Sequence, residues 1–219
     1  MMILKNLFLD LLFPRQCLGC HVDSTWLCHE CWLHIKLKSD QSDNTSNFKN
    51  LNGVIIATDY HDKLVANILQ SFKYNFVNQL GLDLGNLLVK CLSARINQGK
   101  VINFDLVVAV PLAKKRELWR GFNQADILAT VVSQKFDWSL GKNLIYRKYH
   151  TRPQVGLRAQ ERLKNIKGIF AIKNGDSLVN KSILLIDDMI TTGATIEECA
   201  KVLKSAGAKE VWGLVIAEG

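Results

Sequence analysis

The sequence predicts an α/β protein: a parallel sheet flanked by helices, with a small four-cysteine zinc knuckle at the N-terminus. Three observations predict it. Past residue 50, short β-branched runs alternate with segments whose apolar residues recur at helical spacing. Ahead of that pattern stand two C-x-x-C pairs, Cys17/Cys20 and Cys28/Cys31. One apolar run, residues 182–186, ends directly on Asp187 and Asp188, and a Thr/Gly-rich turn and a new helix follow. Parallel sheets buried on both faces have near-continuous apolar strands, and ligands bind at the carboxyl ends of those strands.

In chain order, Ile3, Leu4, Leu7, Phe8, Leu11 and Leu12 recur at helical spacing and predict a short amphipathic helix over residues 1–13. Asp10 within that run, and Pro14 after it with no small-residue cleavage site, argue against an export signal. No run approaches the ~20 apolar residues of a spanning helix. The expected compartment is therefore the reducing cytoplasm, where disulfides do not persist. Two C-x-x-C pairs joined by a seven-residue connector then read as one tetrahedral Zn²⁺ site. With all four positions filled by protein, that site is structural rather than catalytic. His21, His29 and His34 lie close enough in sequence to substitute for a thiolate, and Trp26 and Trp32 supply apolar cover. The expected organisation is helix and knuckle over 1–38, a polar linker over 39–50 and the main domain over 51–219.

Within the main domain, strands are expected at 53–60, 104–110, 168–172, 182–186 and 211–217. Helices are expected at 63–72, 80–95, 125–134 and from the Thr-rich turn to Ser205, with Gly207 ending the last. Cys91 and Cys199 read as buried small hydrophobes.

Charge is uneven. The chain carries 28 Lys+Arg against 20 Asp+Glu, a formal net of +8. Residues 114–167 hold 13 of the cations and only four of the acids, so the whole excess lies in that segment. A localised basic stretch points to an anionic partner such as phosphate or nucleic acid. Residues 147–167 read as a flexible flap bearing Arg147, Lys148, Arg152, Arg158, Arg162, Lys164 and Lys167, with Tyr146, Tyr149 and His150 interleaved at its start. Such a flap suits a lid over pyrophosphate or a contact for single-stranded DNA, where rings stack on bases. A solvated basic loop is the plainer alternative.

The stretch Asp187-Asp188-Met189-Ile190-Thr191-Thr192-Gly193-Ala194-Thr195 carries the chemistry. Loop N–H groups and a helix start form a nest for a phosphate. Gly193 allows close backbone approach, the threonines donate hydroxyls, and two carboxylates at the strand end can accept the vicinal hydroxyls of a ribose.

This stretch resembles the 5-phosphoribosyl-1-pyrophosphate (PRPP) motif of type I phosphoribosyltransferases. Val110-Pro111-Leu112, the basic run Lys114, Lys115, Arg116 and Arg120, and Gly121-Phe122-Asn123-Gln124 come before it, and the knuckle before those. In that order they resemble the ComF/GntX family from about Phe13 to Ala217. Ala113-Lys114 departs from that family's His-Pro-like pair, and Leu118 stands where it has a basic residue. The resemblance implies a phosphoribosyltransferase-like domain and a role in natural transformation during import of single-stranded DNA, alongside other DNA-import proteins. It assigns ribose hydroxyls to Asp187 and Asp188, the 5′-phosphate to Thr191, Thr192, Gly193, Ala194 and Thr195, and pyrophosphate with Mg²⁺ to a loop holding Lys114, Lys115 and Arg116. Arg120, Arg147, Arg152, Arg158, Arg162 and Lys164 are the expected DNA contacts, although Arg120 and Asn123 also suit a cap on the helix that follows. Lys73 is expected either near the acceptor or as an ordinary surface lysine. A conventional phosphoribosyltransferase on a small nucleophile and a non-catalytic PRPP-sensing adaptor remain open beside this reading. No acceptor motif or general base is assigned.

Overall fold

The computed structural model describes residues 15–38, 48–74, 79–99, 103–148, 166–173 and 178–219. The predicted N-terminal helix, most of the linker and Tyr149, His150, Arg152, Arg158, Arg162 and Lys164 lie outside these residues.

Five parallel strands form the central sheet. They are β1 (Gly53–Asp59), β2 (Leu106–Ala109), β3 (Ser139–Leu140), β6 (Ser182–Ile190) and β7 (Glu210–Glu218), in the spatial order β1-β7-β6-β2-β3. A separate antiparallel pair joins β4 (Ile145–Arg147) to β5 (Phe170–Ile172). The helices are α1 (His29–His34) in the knuckle, α2 (Lys63–Tyr74), α3 (Gln79–Asn97), α4 (Lys114–Arg120), α5 (Gln124–Phe136) and α6 (Ala194–Ser205).

Strand alternation divides the core into two layers. Ile55 and Ala57 of β1, Leu184 and Ile186 of β6, and Leu214 and Ile216 of β7 face α2, α3 and α5. Val54 and Ile56, Ile183 and Leu185, and Val211 and Val215 face the other way, toward α6 and the β4–β5 pair. Both faces are dry, which is why the strands read as unbroken apolar runs.

The knuckle belongs to the first layer. Cys17, Leu27 and Ile35 are buried in the same cluster as Leu69, Leu84 and Leu88, and Leu18, Trp26 and Trp32 pack against it. Trp32 Nε1 donates to the Asp83 carbonyl at 3.1 Å, and Lys90 Nζ stands 5.0 Å from the Trp32 ring centroid. Trp32, expected to cover the knuckle, thus fastens it to α3, and Trp26 packs on the core cluster.

Two element boundaries move in ways that matter. β6 continues through Asp187 and Asp188 to Ile190, because Asp187 pairs with Val215, Met189 with Ala217 and Ile190 with Glu218. The basic residues 114–120, expected in a loop, form α4 instead. Gly121, at φ 78°, ends it, with its N–H donating to the Glu117 carbonyl at 2.7 Å.

Candidate functional site

From β2 the chain crosses to β3 on one side, and from β6 it crosses to β7 on the other. The gap between β2 and β6 is therefore a topological switch point, where outgoing loops diverge and leave a crevice. The two stretches singled out in the sequence flank it: Pro111 and α4 after β2, and the Thr191-Thr192-Gly193 turn after β6.

The turn lines an open recess of about 380 Å³ whose walls include Asp187, Met189, Thr191, Thr192, Thr195 and Ile166. Gly193 sits at φ 72° and is the N-cap of α6, without a side-chain capping bond. The Glu197 N–H donates to the Gly193 carbonyl at 2.9 Å.

The segment just before β1 closes one side of the turn. Phe48 rests on Gly193 so tightly that a Cβ at that position would overlap the ring. The backbone N–H groups of Lys49 and Asn50 donate to Glu197 Oε1 at 3.0 Å each, and Asn50 Nδ2 does so at 2.6 Å. Sequence composition hides this strap, because residues 48–50 continue a polar linker. Gly193→Ala combines a left-handed backbone with this overlap. It is expected to cost at least about 1–2 kcal/mol, lowering the melting temperature by about 4 °C, and to misshape the turn. Thermal melts and phosphate-ester titration check this.

The acidic pair is split by the two-residue period of its strand. Asp188, in phase with Leu184 and Ile186, points to the α2 layer, where Lys73 Nζ stands 3.2 Å from its Oδ1. Both side chains are mostly shielded, at 17% and 13% exposure, so the pair is less screened than a surface salt bridge. Lys73 Nζ also lies 3.7 Å from Met189 Sδ. Asp187, in phase with Ile183 and Leu185, points to the α6 layer and lines the recess. Burial, then the charge of Asp188, pushes its carboxyl up to about 8; the Asp188 N–H, Lys73 and Arg120 pull the other way. Asp187 thus holds its proton more tightly than an ordinary aspartate and can donate as well as accept, while Asp188 pairs with Lys73.

Lys114 and Lys115 are exposed on α4, and Arg116 is half-buried. Arg120, expected as a surface contact for DNA, is 7% exposed. Its Nη1 donates to Gln124 Oε1 at 2.8 Å, and its guanidinium lies 5.3 Å from the Tyr74 ring centroid. A cation so enclosed braces α4. Asn123 takes the capping role: it accepts from the Ala125 N–H at 3.2 Å and donates to the Val110 carbonyl at 3.1 Å. Phe122 packs on Phe72 at 5.7 Å, within the core. Arg147 is half-buried in β4, its guanidinium 5.6 Å from the Phe170 centroid. Burial first, then nearby Arg116, lowers its affinity for the proton. The structure brings Arg116 and Arg147 toward each other but leaves Lys114 and Lys115 facing solvent.

At the knuckle, one ligand atom from each of Cys17, Cys20, Cys28 and Cys31 lies within 4.8 Å of every other. Cys20 Sγ and Cys28 Sγ are 3.6 Å apart, close to the ~3.8 Å edge of a tetrahedron with 2.3 Å metal–sulfur bonds. The Cys28 N–H points at Cys17 Sγ (3.3 Å) and the Cys31 N–H at Cys28 Sγ (3.4 Å), orienting the sulfurs inward. Burial acts to raise the Cys17 thiol, but backbone hydrogen bonds from Cys20, Cys28 and Gly19 outweigh it and bring it down to about 6. Hydrogen bonding to the Cys28 side chain, then desolvation, pushes Cys31 up to about 12. Without a cation, only part of so close a set of sulfurs can ionise. The donor set therefore fits a metal ion that prefers thiolate.

Comparison with known proteins agrees with this architecture. Residues 118–218 match the phosphoribosyl transferase domain family. Competence protein F of Haemophilus influenzae is 36% identical over 154 residues, which cover 67% of this chain and 66% of that protein. The chain belongs to the ComF family. This ComF-family chain is also 29% identical over 164 residues to the DNA utilization protein YhgH of Escherichia coli strain K12, covering 74% of this chain and 70% of that one. A purine phosphoribosyltransferase from Pyrococcus horikoshii Ot3 superposes with a TM-score of 0.41 at 20% identity, over 62% of this chain and 73% of that one. The match to competence protein F falls just short of two thirds of that protein's length. Among the described residues, no helix of this ComF-family chain is long and apolar enough to cross a membrane.

Proposed function

We propose that this protein binds PRPP at the β2/β6 switch point and handles single-stranded DNA in natural transformation, with a structural zinc ion in its knuckle. The observation that carries the reading is the recess formed where the acidic strand end meets the Gly193-capped start of α6. In this reading Asp187 and Asp188 meet the ribose hydroxyls, and Thr191, Thr192, Gly193, Ala194 and Thr195 wrap the 5′-phosphate through backbone N–H groups and hydroxyls. Lys114, Lys115 and Arg116 face the pyrophosphate. Mg²⁺ arrives with the ligand, held mainly by ligand oxygens and water. Arg147, Arg152, Arg158, Arg162 and Lys164 supply cations to a DNA strand. The names of the relatives, a competence protein and a DNA utilization protein, support the DNA side, and the four-cysteine geometry supports zinc.

Calorimetric titration with PRPP and Mg²⁺ tests the reading. Saturable binding is expected for the native chain and no detectable heat for Asp187→Asn/Asp188→Asn. Undiminished binding by the double variant would put the site elsewhere. Pyrophosphate release assayed with PRPP alone, and again with an oligonucleotide, then separates a free small acceptor from a DNA-linked one. No release in either arm favours a PRPP-sensing adaptor.

A further inference from the structure

Two large, half-exposed rings lie on the α4 side of the crevice. Trp119 is 56% exposed and Tyr74 is 52% exposed, with centroids 6.1 Å apart and planes inclined at 58°. Tyr74 directly follows Lys73, the residue paired with Asp188. The rings are also held in place. The guanidinium of Arg120 lies 5.3 Å from the Tyr74 centroid, and Gln124 fixes that guanidinium from the other side. On α4, Lys115 lies four residues before Trp119 and three before Leu118, so its ammonium shares their outward face. Of the seven α4 residues, four are cationic and one, Glu117, is acidic.

We propose that Tyr74 and Trp119 form a stacking platform for an unpaired nucleobase, with Lys115 holding the adjoining phosphate of the same strand. The proposal rests on the single-stranded DNA part of the function proposed above, assigns a contact that the basic flap does not supply, and gives Lys115 to the strand rather than to the pyrophosphate. Exposed rings beside cations are the combination that binds a single strand: every base has a π face, and every nucleotide brings one negative charge. Charge complementarity favours a polynucleotide over a protein surface. Two rings also present only some 300–500 Å², against the roughly 800 Å² per partner that a stable protein interface buries.

The test is a fluorescence titration of the full-length protein with an oligothymidylate at several salt concentrations. Quenching of tryptophan emission is expected in the native chain and should largely vanish in Trp119→Phe. Trp119→Ala and Tyr74→Ala should each weaken binding about ten-fold while leaving the slope of log affinity against log salt unchanged, because neither removes a charge. Lys115→Ala should reduce that slope by about 0.7, the value for one phosphate contact on a single strand. Trp119→Phe should keep most of the affinity, since a ring remains, and circular dichroism confirms that each variant is folded. Native affinity in both folded alanine variants would overturn the platform while leaving DNA binding itself in place. Absence of any oligothymidylate binding by the native chain would overturn both. A concentration-dependent dimer that Trp119→Ala dissociates, with DNA affinity unaltered, would assign the rings to a second copy of the chain instead.

Discussion

Stripping the metal proposed for the knuckle with a strong chelator, or replacing Cys17 with Ser, is expected to lower the melting temperature by about 10 °C or more. The reason is where the knuckle sits. Cys17, Leu27 and Ile35 are buried within the cluster that covers one face of the sheet, and Leu18, Trp26 and Trp32 pack on that cluster. A side chain of this kind contributes about 1.5–3 kcal/mol when fully buried. Exposing even two of them therefore costs about 3–6 kcal/mol, and a chain of this length loses about 2–4 °C per kcal/mol. The four cysteines form no disulfide with one another, and mutual repulsion opposes ionisation of so close a set without a cation. The damage should extend past the knuckle. Gly19 is so tightly enclosed that a Cβ there would touch Cys31 Sγ and Leu64 of α2, the helix whose far end carries Lys73. Elemental analysis should find one zinc per chain, and calorimetry should show the lower transition only after chelation. A metal-free preparation melting at the same temperature as the native one would sink the zinc reading.

The strands β1, β2, β6 and β7 were legible because their faces are buried, which turns each into an apolar run that composition alone reveals; β3, two exposed residues at the sheet edge, carries no such run and was missed. The helices α2, α3, α5 and α6 were legible from periodicity, within one or two residues at their ends. α4 escaped because its seven residues carry no core-facing apolar stripe: its two large apolar side chains, Leu118 and Trp119, point to solvent, and its buried residue is Arg120. The end of β6 was misjudged at Asp187 because two acidic residues look like a strand terminus, whereas the ladder with β7 carries the backbone on to Ile190. Extending the alternation of Ile183 to Ile186 by two residues shows that Asp187 and Asp188 face opposite layers, so that signal was present in the sequence. The Lys73–Asp188 pair and the Phe48–Gly193 contact were not legible, because they join positions 115 and 145 residues apart through the tertiary fold.

Between pH 5 and 8.5 the native protein is expected to lose stability, and Asp187→Asn is expected to remove most of that loss. Asp187 has a folded-state pKa of about 8, raised by burial and then by the charge of Asp188. Its unfolded value is that of an ordinary aspartate, about 3.9. Over the interval between them the folded chain holds a proton that the unfolded chain has released, so folding is favoured at the acid end and disfavoured as pH rises. The slope approaches about 1.4 kcal/mol per pH unit, and the window adds up to several kcal/mol. In melting temperature this is a fall of about 10 °C across the range. Asparagine keeps the shape and cannot ionise. The variant should therefore match the native protein near pH 5 and melt several degrees above it at pH 8.5. Asp188→Asn separates the two causes. Without the neighbouring carboxylate, the drop should be smaller and should level off at a lower pH than in the native protein. Parallel melting curves for native and Asp187→Asn protein would show that Asp187 titrates as an ordinary aspartate, and its role as a protonated donor in the recess would fall with that result.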